Sequence, residues 1–560
     1  VEILGIIVVC VLAVAGANQL APRVRIAAPL LLVAVGVAVS YFPEVPDISV
    51  NPEVILIGVL PPLLYAAAVA LPAMDFKRDF QAISGLSIAL VIISALLLGL
   101  FFMWILPDAD YATGVALGAI LSPTDAVATT TVRRVGAPQR LVTVLSGESL
   151  FNDASALVVL RASIAAMATS VSLIGVAVSF VWAIIAAVVV GGLVGFVFVR
   201  IREGVPNVVV ATAISFTTPY IAYIPTELMG ASGLVAAVAA GLVTGRGSIR
   251  RLTAAHRQSD QQTWATVELL LEGGVFLLMG LELKALVGDV WESNETVWHA
   301  VWPAAIAFVL LMIIRLGVVM TLVAWIARRS RRVIAREPLL EQMQDRLGDA
   351  EVSADRMTRR FQRRIDRRLA DIDYYRTTSI GVREGYVVAW AGMRGVVTLA
   401  AAQTLPAGTP YRSLLVLIAF VVAAGSLLLQ GSTLGSFIKL LKLPDHRADA
   451  ADERRRLNRE MVAISVEVLH DPVVCSDGML ARNVQQIRML EDDDDFDGDT
   501  LDLRLHNAAE MRRVRRVIID RQRVELIDLR DRGAYSSEAL TLALARLDAE
   551  EISLGAHAPR

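Results

Sequence analysis

Runs of about 20 apolar residues recur from the first residue to about residue 440, each near the length a helix needs to cross a bilayer. Barrel strands would give shorter, alternating segments instead. Hydropathy places thirteen spans, at about 3–20, 26–42, 53–72, 82–106, 111–131, 138–165, 173–199, 207–224, 229–245, 264–285, 298–327, 379–405 and 411–438. The expected fold class is therefore an all-α polytopic membrane protein. The eighth and ninth spans are short, and the division between them is placed near Pro219 and Pro225. The composition agrees: 55% of residues are hydrophobic, above the roughly 45–50% of soluble domains. The net charge of −2 gives no reason to expect a nucleic acid partner. The partner that every span implies is the lipid bilayer.

The loops set the orientation. Alternate loops carry Arg23 and Arg25; Lys77 and Arg78; Arg133, Arg134 and Arg140; Arg200 and Arg202; and Arg246, Arg250, Arg251 and Arg257. Arg328, Arg329, Arg331 and Arg332 follow the eleventh span, and Lys439 and Lys442 follow the last. The intervening loops carry Glu44 and Asp47, Asp108 and Asp110, Glu227, then Asp289, Glu292 and Glu295. Lysine and arginine mark the cytoplasmic side. The N-terminus is expected outside and the C-terminus inside the cell membrane, which needs an odd number of spans. The first helix has neither the basic flank nor the small-residue cleavage pattern of a signal peptide, so it is expected to stay as an anchor. The two cysteines, Cys10 and Cys475, fall in different layers, so neither a disulfide nor a metal cluster is expected.

Two polar segments interrupt the pattern: a cytoplasmic insert at 329–377, expected to be helical from Leu339 to Tyr375, and a cytoplasmic tail at 441–560. The tail has helical spacing from Asn507 to Leu547, with Val514, Ile518, Val524, Ile527 and Leu529 as an apolar stripe. Asp493 to Asp499 begins like a calcium loop, but Arg504 stands where a bidentate Glu is needed, and the stretch reads as an acidic linker. Insert and tail read as solvated helical appendages with no recognisable output domain.

The chemistry lies in three motifs. Ser146 to Leu160 places Glu148, Ser149, Asn152 and Asp153 in apolar sequence. A carboxylate at membrane depth is costly and usually faces an aqueous cavity with a function. Ser149 and Asp153 lie four apart on one helical face, as do Glu148 and Asn152. Glu148 is turned roughly 140° from Asp153, so Asp153 is assigned to a water-filled cavity and Glu148 to a buried counter-charge. Arg394 is the expected partner, in a structural ion pair. Asn152 reads as a brace, with cation binding as its other role.

The second motif is Ser122-Pro123-Thr124-Asp125. Pro123 lacks a backbone donor, so the helix is expected to break there, freeing carbonyls that can hold a cation. Asp125 would neutralise the half-helix N-termini. Gly392-Met393-Arg394-Gly395 is a second expected break. Two interrupted helices in opposite halves point to an inverted-repeat transporter. Arg161, Glu268, Glu272, Glu282 and Arg315 are expected to be structural or ion-paired, with snorkelling as the other reading for Arg161 and Glu282 near span ends and a funnel lining for Glu268 and Glu272.

These motifs, with Leu60-Pro61-Pro62-Leu63-Leu64-Tyr65 and the stretch from Phe276 to Leu281, resemble the monovalent cation:proton antiporters of the NhaP/NHE branch over about residues 1–440. The resemblance implies two crossing interrupted helices and a homodimer, each subunit with a core domain and an interface domain. Asp153 would be the ion- and proton-binding carboxylate, with Ser149 and the Thr124 backbone as further sodium ligands. Asp125 would be the charge at the unwound helix, and Glu148–Arg394 the structural pair. Ala66 stands where several relatives carry an acidic residue, so a third-span ligand is missing. Asn152 in the first slot, rather than aspartate, implies electroneutral one-for-one exchange.

The expected activity is exchange of sodium or lithium for protons, the two competing for Asp153. No catalysis and no cofactor are expected; the ions are cargo. Potassium/proton or mixed-cation exchange is the nearest alternative, and a gated cation channel a more distant one. An intramembrane aspartyl protease lacks its Tyr-Asp and Gly-x-Gly-Asp surroundings.

Overall fold

The computed structural model describes residues 2–24, 27–42, 52–168, 173–292, 296–335, short stretches between 337 and 376, 380–443, 447–471, 474 and 498–556. Among these residues there are helices and no strands. They pack into two units. The first takes in Val1–Leu252, Ser259–Val333 and Arg376–Asp445; the second takes in Thr253–Gln258, Ile334–Tyr375 and His446–Arg560.

In the first unit, α1 (Glu2–Val24) and α2 (Ala28–Ser40) are followed by α3 (Val54–Ala70) and α4 (Ala73–Ile105). A π-helical stretch opens α3 at Val54–Val59, and another lies within α4 at Gly85–Ala89. Then come α5 (Tyr111–Leu121), α6 (Val127–Val135), α7 (Gln139–Ala168), α8 (Leu173–Glu203), α9 (Val208–Leu228) and α10 (Gly233–Arg251). The unit continues with α11 (Ala254–Glu292), α12 (Val297–Ile334), α13 (Val382–Trp390), α14 (Val396–Gln403) and α15 (Arg412–Leu441). Among the described residues, six helices are long and apolar enough to span a membrane by length and composition alone: α4, α7, α8, α9, α12 and α15. Helix α11 is long as well, but Glu268, Glu272, Glu282 and Lys284 interrupt its apolar sequence. The protein is a multi-pass membrane protein.

Local sequence explains the ends that matter. Asp110 caps α5 by accepting the Thr113 amide at 2.8 Å. Helix α5 stops at Leu121, before Pro123, and 122–126 run without helix until α6 begins. Gly136, at φ 83°, ends α6 with the Ala137 amide on the Val132 carbonyl, a Schellman turn that only a residue tolerant of the left-handed region enters easily. The expected split at Pro219 and Pro225 is corrected: α9 runs through both prolines to Leu228, and the turn comes at Gly230, φ 70°. Neighbouring helices cover the carbonyls that proline frees, so membrane helices tolerate it.

Two groups of helices result. Helix α7 packs on α4, α5 and α6, with α14 and α15 against α5; helices α9 and α10 pack with α3 and α8. Close helix approach is set by small residues. A Cβ on Gly36 or Gly280 would run into the backbone of the facing helix, so α2 and α11 touch main chain to main chain.

The second unit holds α16 (Arg447–His470), α17 (Gly498–Arg532) and α18 (Ser537–Ala556). Leu457, Met461, Ile519, Leu526, Leu529, Leu540 and Leu547 form its core. Val514, Ile518 and Leu529 of the expected stripe are buried, but Val524 is 66% exposed, and Leu526 takes the inward position instead. Gln522 is buried among these groups, donating to the Met461 carbonyl at 2.8 Å. Most of the expected insert helix, and Asp493 to Asp497 of the acidic stretch, lie outside the described residues.

Candidate cation site

The two interrupted segments meet. The Asp125 amide donates to the Met393 carbonyl at 2.7 Å, joining the break after α5 to the break after α13. Four helix ends therefore converge, and the charges at the breaks match their dipoles. The Asp125 carboxylate accepts the Val127 amide at 3.1 Å at the start of α6. It also lies against Gly395, the N-cap of α14, where an added Cβ would come within 2.6 Å of Asp125 Cγ. An anion is thus held at two positive helix N-termini. Arg394 does the opposite. Its guanidinium donates to the Leu121 carbonyl at the end of α5, at 3.2 Å, and to the Gly392 carbonyl just beyond α13. A cation is thus held at two negative C-termini.

This corrects the expected pairing of Glu148 with Arg394. Glu148 is held by Arg315 of α12, through two guanidinium contacts of 2.5 and 2.9 Å, with both side chains about 1% exposed. Arg315 also donates to the Val388 carbonyl of α13 at 3.1 and 3.0 Å. It reaches there because Gly392 has no side chain: a Cβ would lie 2.5 Å from Arg315 Nε. The glycines of Gly-Met-Arg-Gly thus serve Arg315 and Asp125 by leaving room; Gly395 itself has φ −113°. The sequence held a signal for Arg315, an arginine in the middle of a span, but distance along the chain hid which carboxylate it meets.

Thr124 joins the second pair of elements. Its hydroxyl donates to Glu148 Oε1 at 3.2 Å and accepts from Asn152 Nδ2 at 2.6 Å. Because the hydroxyl gives its proton to a carboxylate, the Asn152 contact must be its NH2 group, which fixes the amide orientation. Asn152 is thus a brace between α7 and the unwound segment. Its Oδ1 is buried and has no hydrogen-bond donor among the described residues. Ser87, in the π-helical stretch of α4, donates to the Glu148 carbonyl at 3.2 Å.

Asp153 is one residue beyond Asn152, only 9% exposed, and among the described residues no side chain or amide donates to its carboxylate. The Asp125 charge is close enough to act on it. Ser149, one turn earlier, is 8% exposed and donates to the Ser146 carbonyl at 3.3 Å. Thr124, Asp125, Glu148, Ser149, Asn152 and Asp153 therefore form one neighbourhood, with Arg315 and Arg394 behind it.

Glu268 and Glu272 sit half-buried on α11, with Glu272 in electrostatic reach of Asp125 and Glu268 in reach of Arg133. Glu282 and Arg161 both take the structural or paired role rather than the snorkelling one. Glu282 is 4% exposed and accepts from Gln403 at 2.8 Å, so it does not snorkel. Arg161 pairs with Glu227 at 2.8 Å. Ala66 is buried, and its neighbour Tyr65 packs on Trp264 with ring centroids 5.0 Å apart.

Comparison with known proteins follows the same lines. The model of the transmembrane sodium/hydrogen exchanger family matches residues 7–440. A protein of Escherichia coli (strain K12), described as the uncharacterised Na(+)/H(+) exchanger YjcE, is 28% identical over 95% of this chain and 94% of its own length. The sodium, potassium, lithium and rubidium/H(+) antiporter of Bacillus subtilis (strain 168) is 30% identical over 50% of this chain and 42% of its own length. The structure of the sodium proton antiporter MjNhaP1 from Methanocaldococcus jannaschii superposes with a TM-score of 0.54 at 18% identity, covering 79% of this chain and 99% of that one. The fold is shared. On the family match across residues 7–440, this chain belongs to the sodium/hydrogen exchanger family.

Proposed function

We propose that the protein exchanges sodium for protons by alternating access, with both ions competing for Asp153. The observation that carries the reading is a buried carboxylate with no donor among the described residues, next to two helix breaks joined by a hydrogen bond. Such a group must hold a cation or a proton, because an uncompensated charge in this setting is costly. A hard monovalent cation would find oxygens from Asp153, Ser149 and the Thr124 carbonyl, and Asn152 Oδ1 has a free lone pair for it. A proton would occupy the same carboxylate and exclude the cation. One carboxylate carrying either one sodium ion or one proton makes the exchange electroneutral. Glu148 on Arg315, Asp125 on the Val127 amide and Arg394 on the Leu121 carbonyl set the frame around Asp153.

The basic loops support an N-terminus outside and a cytoplasmic C-terminus, with an odd number of spans. Family membership supports a homodimer in the cell membrane. The named range of the Bacillus subtilis relative supports testing potassium and rubidium beside sodium and lithium.

The test is pH-dye dequenching in proteoliposomes with each of the four cations, for the unaltered protein and for Asp153→Asn. Sodium should collapse a preset proton gradient with the unaltered protein and leave it intact with the variant. Sodium-driven proton flux through Asp153→Asn would overturn the assignment.

A further inference from the structure

We propose that Arg161 and Glu227 form a latch between the helix that carries Asp153 and the α9–α10 turn, and that each transport cycle must open it. The inference rests on the antiport reading for its consequence, though the contact itself is structural. Arg161 lies on α7, eight residues beyond Asp153 and so about 12 Å further along the same helix. Its guanidinium meets Glu227 Oε2 at 2.8 Å. Glu227 ends α9, which packs with α3, α8 and α10, whereas α7 packs mainly on α4, α5 and α6 and less closely on α10, α8 and α3. The pair therefore ties one helix group to the other.

The Glu227 side of the latch is rigidly built. Its second oxygen, Oε1, accepts the Gly233 amide at 2.9 Å at the first residue of α10. The turn between the helices is a Schellman closure, with the Ala231 amide on the Thr226 carbonyl at 3.0 Å and Gly230 in the left-handed region. Gly233 has no side chain because Glu227 and Tyr223 fold over it: a Cβ there would lie 2.9 Å from Glu227 Cγ and 2.5 Å from the Tyr223 ring. Tyr223 also lies beside the Arg161 guanidinium. The Arg161 side is different, a long side chain 53% exposed. A fixed acceptor facing a half-exposed donor suits a contact that opens and closes.

The charge pattern assigns the Glu227 turn to the outer face. A latch there holds the outer route beside α7 shut, and a shift of a few ångströms between the groups breaks a 2.8 Å contact. Half-exposed ion pairs contribute little, so removing this one shifts the balance between the two access states by only about two- to fivefold. That weakness fits a contact opened in every turnover.

The decisive experiment replaces Cys10 and Cys475 with serine, introduces Arg161→Cys and Glu227→Cys together, and bridges them with a short bis-methanethiosulfonate reagent. Exchange should stop on bridging and return on reduction. Full-rate exchange by the bridged protein, or failure of the two thiols to bridge, overturns the latch. In a separate arm, Arg161→Gln should lower the apparent KM for sodium offered at the outer face by about two- to fivefold and raise it at the inner face; unchanged values at both faces also overturn it. If the unaltered protein carries no exchange at all, the antiport reading fails, and the latch is read instead by hydrogen exchange at the Gly233 amide. That exchange should quicken in Arg161→Gln, and an unchanged rate overturns the latch.

Discussion

Glu148 and Asp153 stand five residues apart on one helix, both buried, yet their surroundings are opposite. Glu148 has a bidentate arginine and a threonine hydroxyl, and its own carbonyl accepts from Ser87. Asp153 has no such donor among the described residues. A turn of roughly 140° between them is enough to send one into the packed frame and the other to the site. Chemical type and burial alone therefore do not mark a functional carboxylate. What separates the two is whether the fold supplies the counter-charge or leaves it to be supplied by an ion that can leave again.

The strongest way to break this comparison is to remove one charge from each member. Asp153→Asn should abolish sodium-dependent proton flux while the protein still folds, since it deletes a buried charge that has no donor among the described residues. Arg315→Ala should do the reverse. It leaves Glu148 buried and unpaired, at a cost of about 3–5 kcal/mol, and should show as loss of folded protein in detergent. Adding Glu148→Gln to Arg315→Ala should recover much of that loss, because the stranded charge is gone. Thermal unfolding followed by size-exclusion chromatography reads all three variants. An Arg315→Ala protein as stable as the parent would show that the pair is not the structural member of the comparison.

The sequence made one half of this contrast legible and obscured the other. Periodicity alone turned Glu148 away from Asp153, and Pro123 alone required a break beside Thr124. Burial demanded a cation for Glu148. Which cation it was depended on how α12 meets α7, a contact between residues 167 apart, and no local pattern encodes it. Arg394 looked the better candidate because its motif was more conspicuous. Its real partners are carbonyls at the ends of α5 and α13, and backbone acceptors leave no trace in a list of side chains. The same blindness affected Arg161 and Glu282, whose partners lie 66 and 121 residues away. In the second unit the apolar stripe was found but turned slightly wrong at Val524, because the helical register admits either that residue or Leu526.

A smaller effect is expected where the frame is tight without being charged. Gly395→Ala puts a methyl group into the space held by the Asp125 carboxylate. Overpacking of this kind costs about 1–3 kcal/mol. The carboxylate must move off the α14 N-terminus, so exchange should fall several-fold while Gly431→Ala, whose nearest neighbour to a new Cβ is 3.7 Å away, should behave like the parent. Equal behaviour of the two variants in the dye assay would mean that contact between Asp125 and Gly395 does not set the site.

The smallest effect sharpens the comparison most, because Asn152 touches both members. Its Nδ2 holds Thr124, which holds Glu148, while its Oδ1 is left without a donor. Asn152→Ala removes two hydrogen bonds to Thr124, about 1 kcal/mol each, and at the same time removes a buried unsatisfied acceptor, about 1–3 kcal/mol. The two terms oppose, so stability without sodium should change little. If Oδ1 is a sodium ligand, the stabilisation that saturating sodium gives the parent should shrink, since that stabilisation grows with affinity. If Asn152 is only a brace, the sodium-dependent shift in Tm should survive intact, and the cation site would reduce to Asp153, Ser149 and the Thr124 carbonyl.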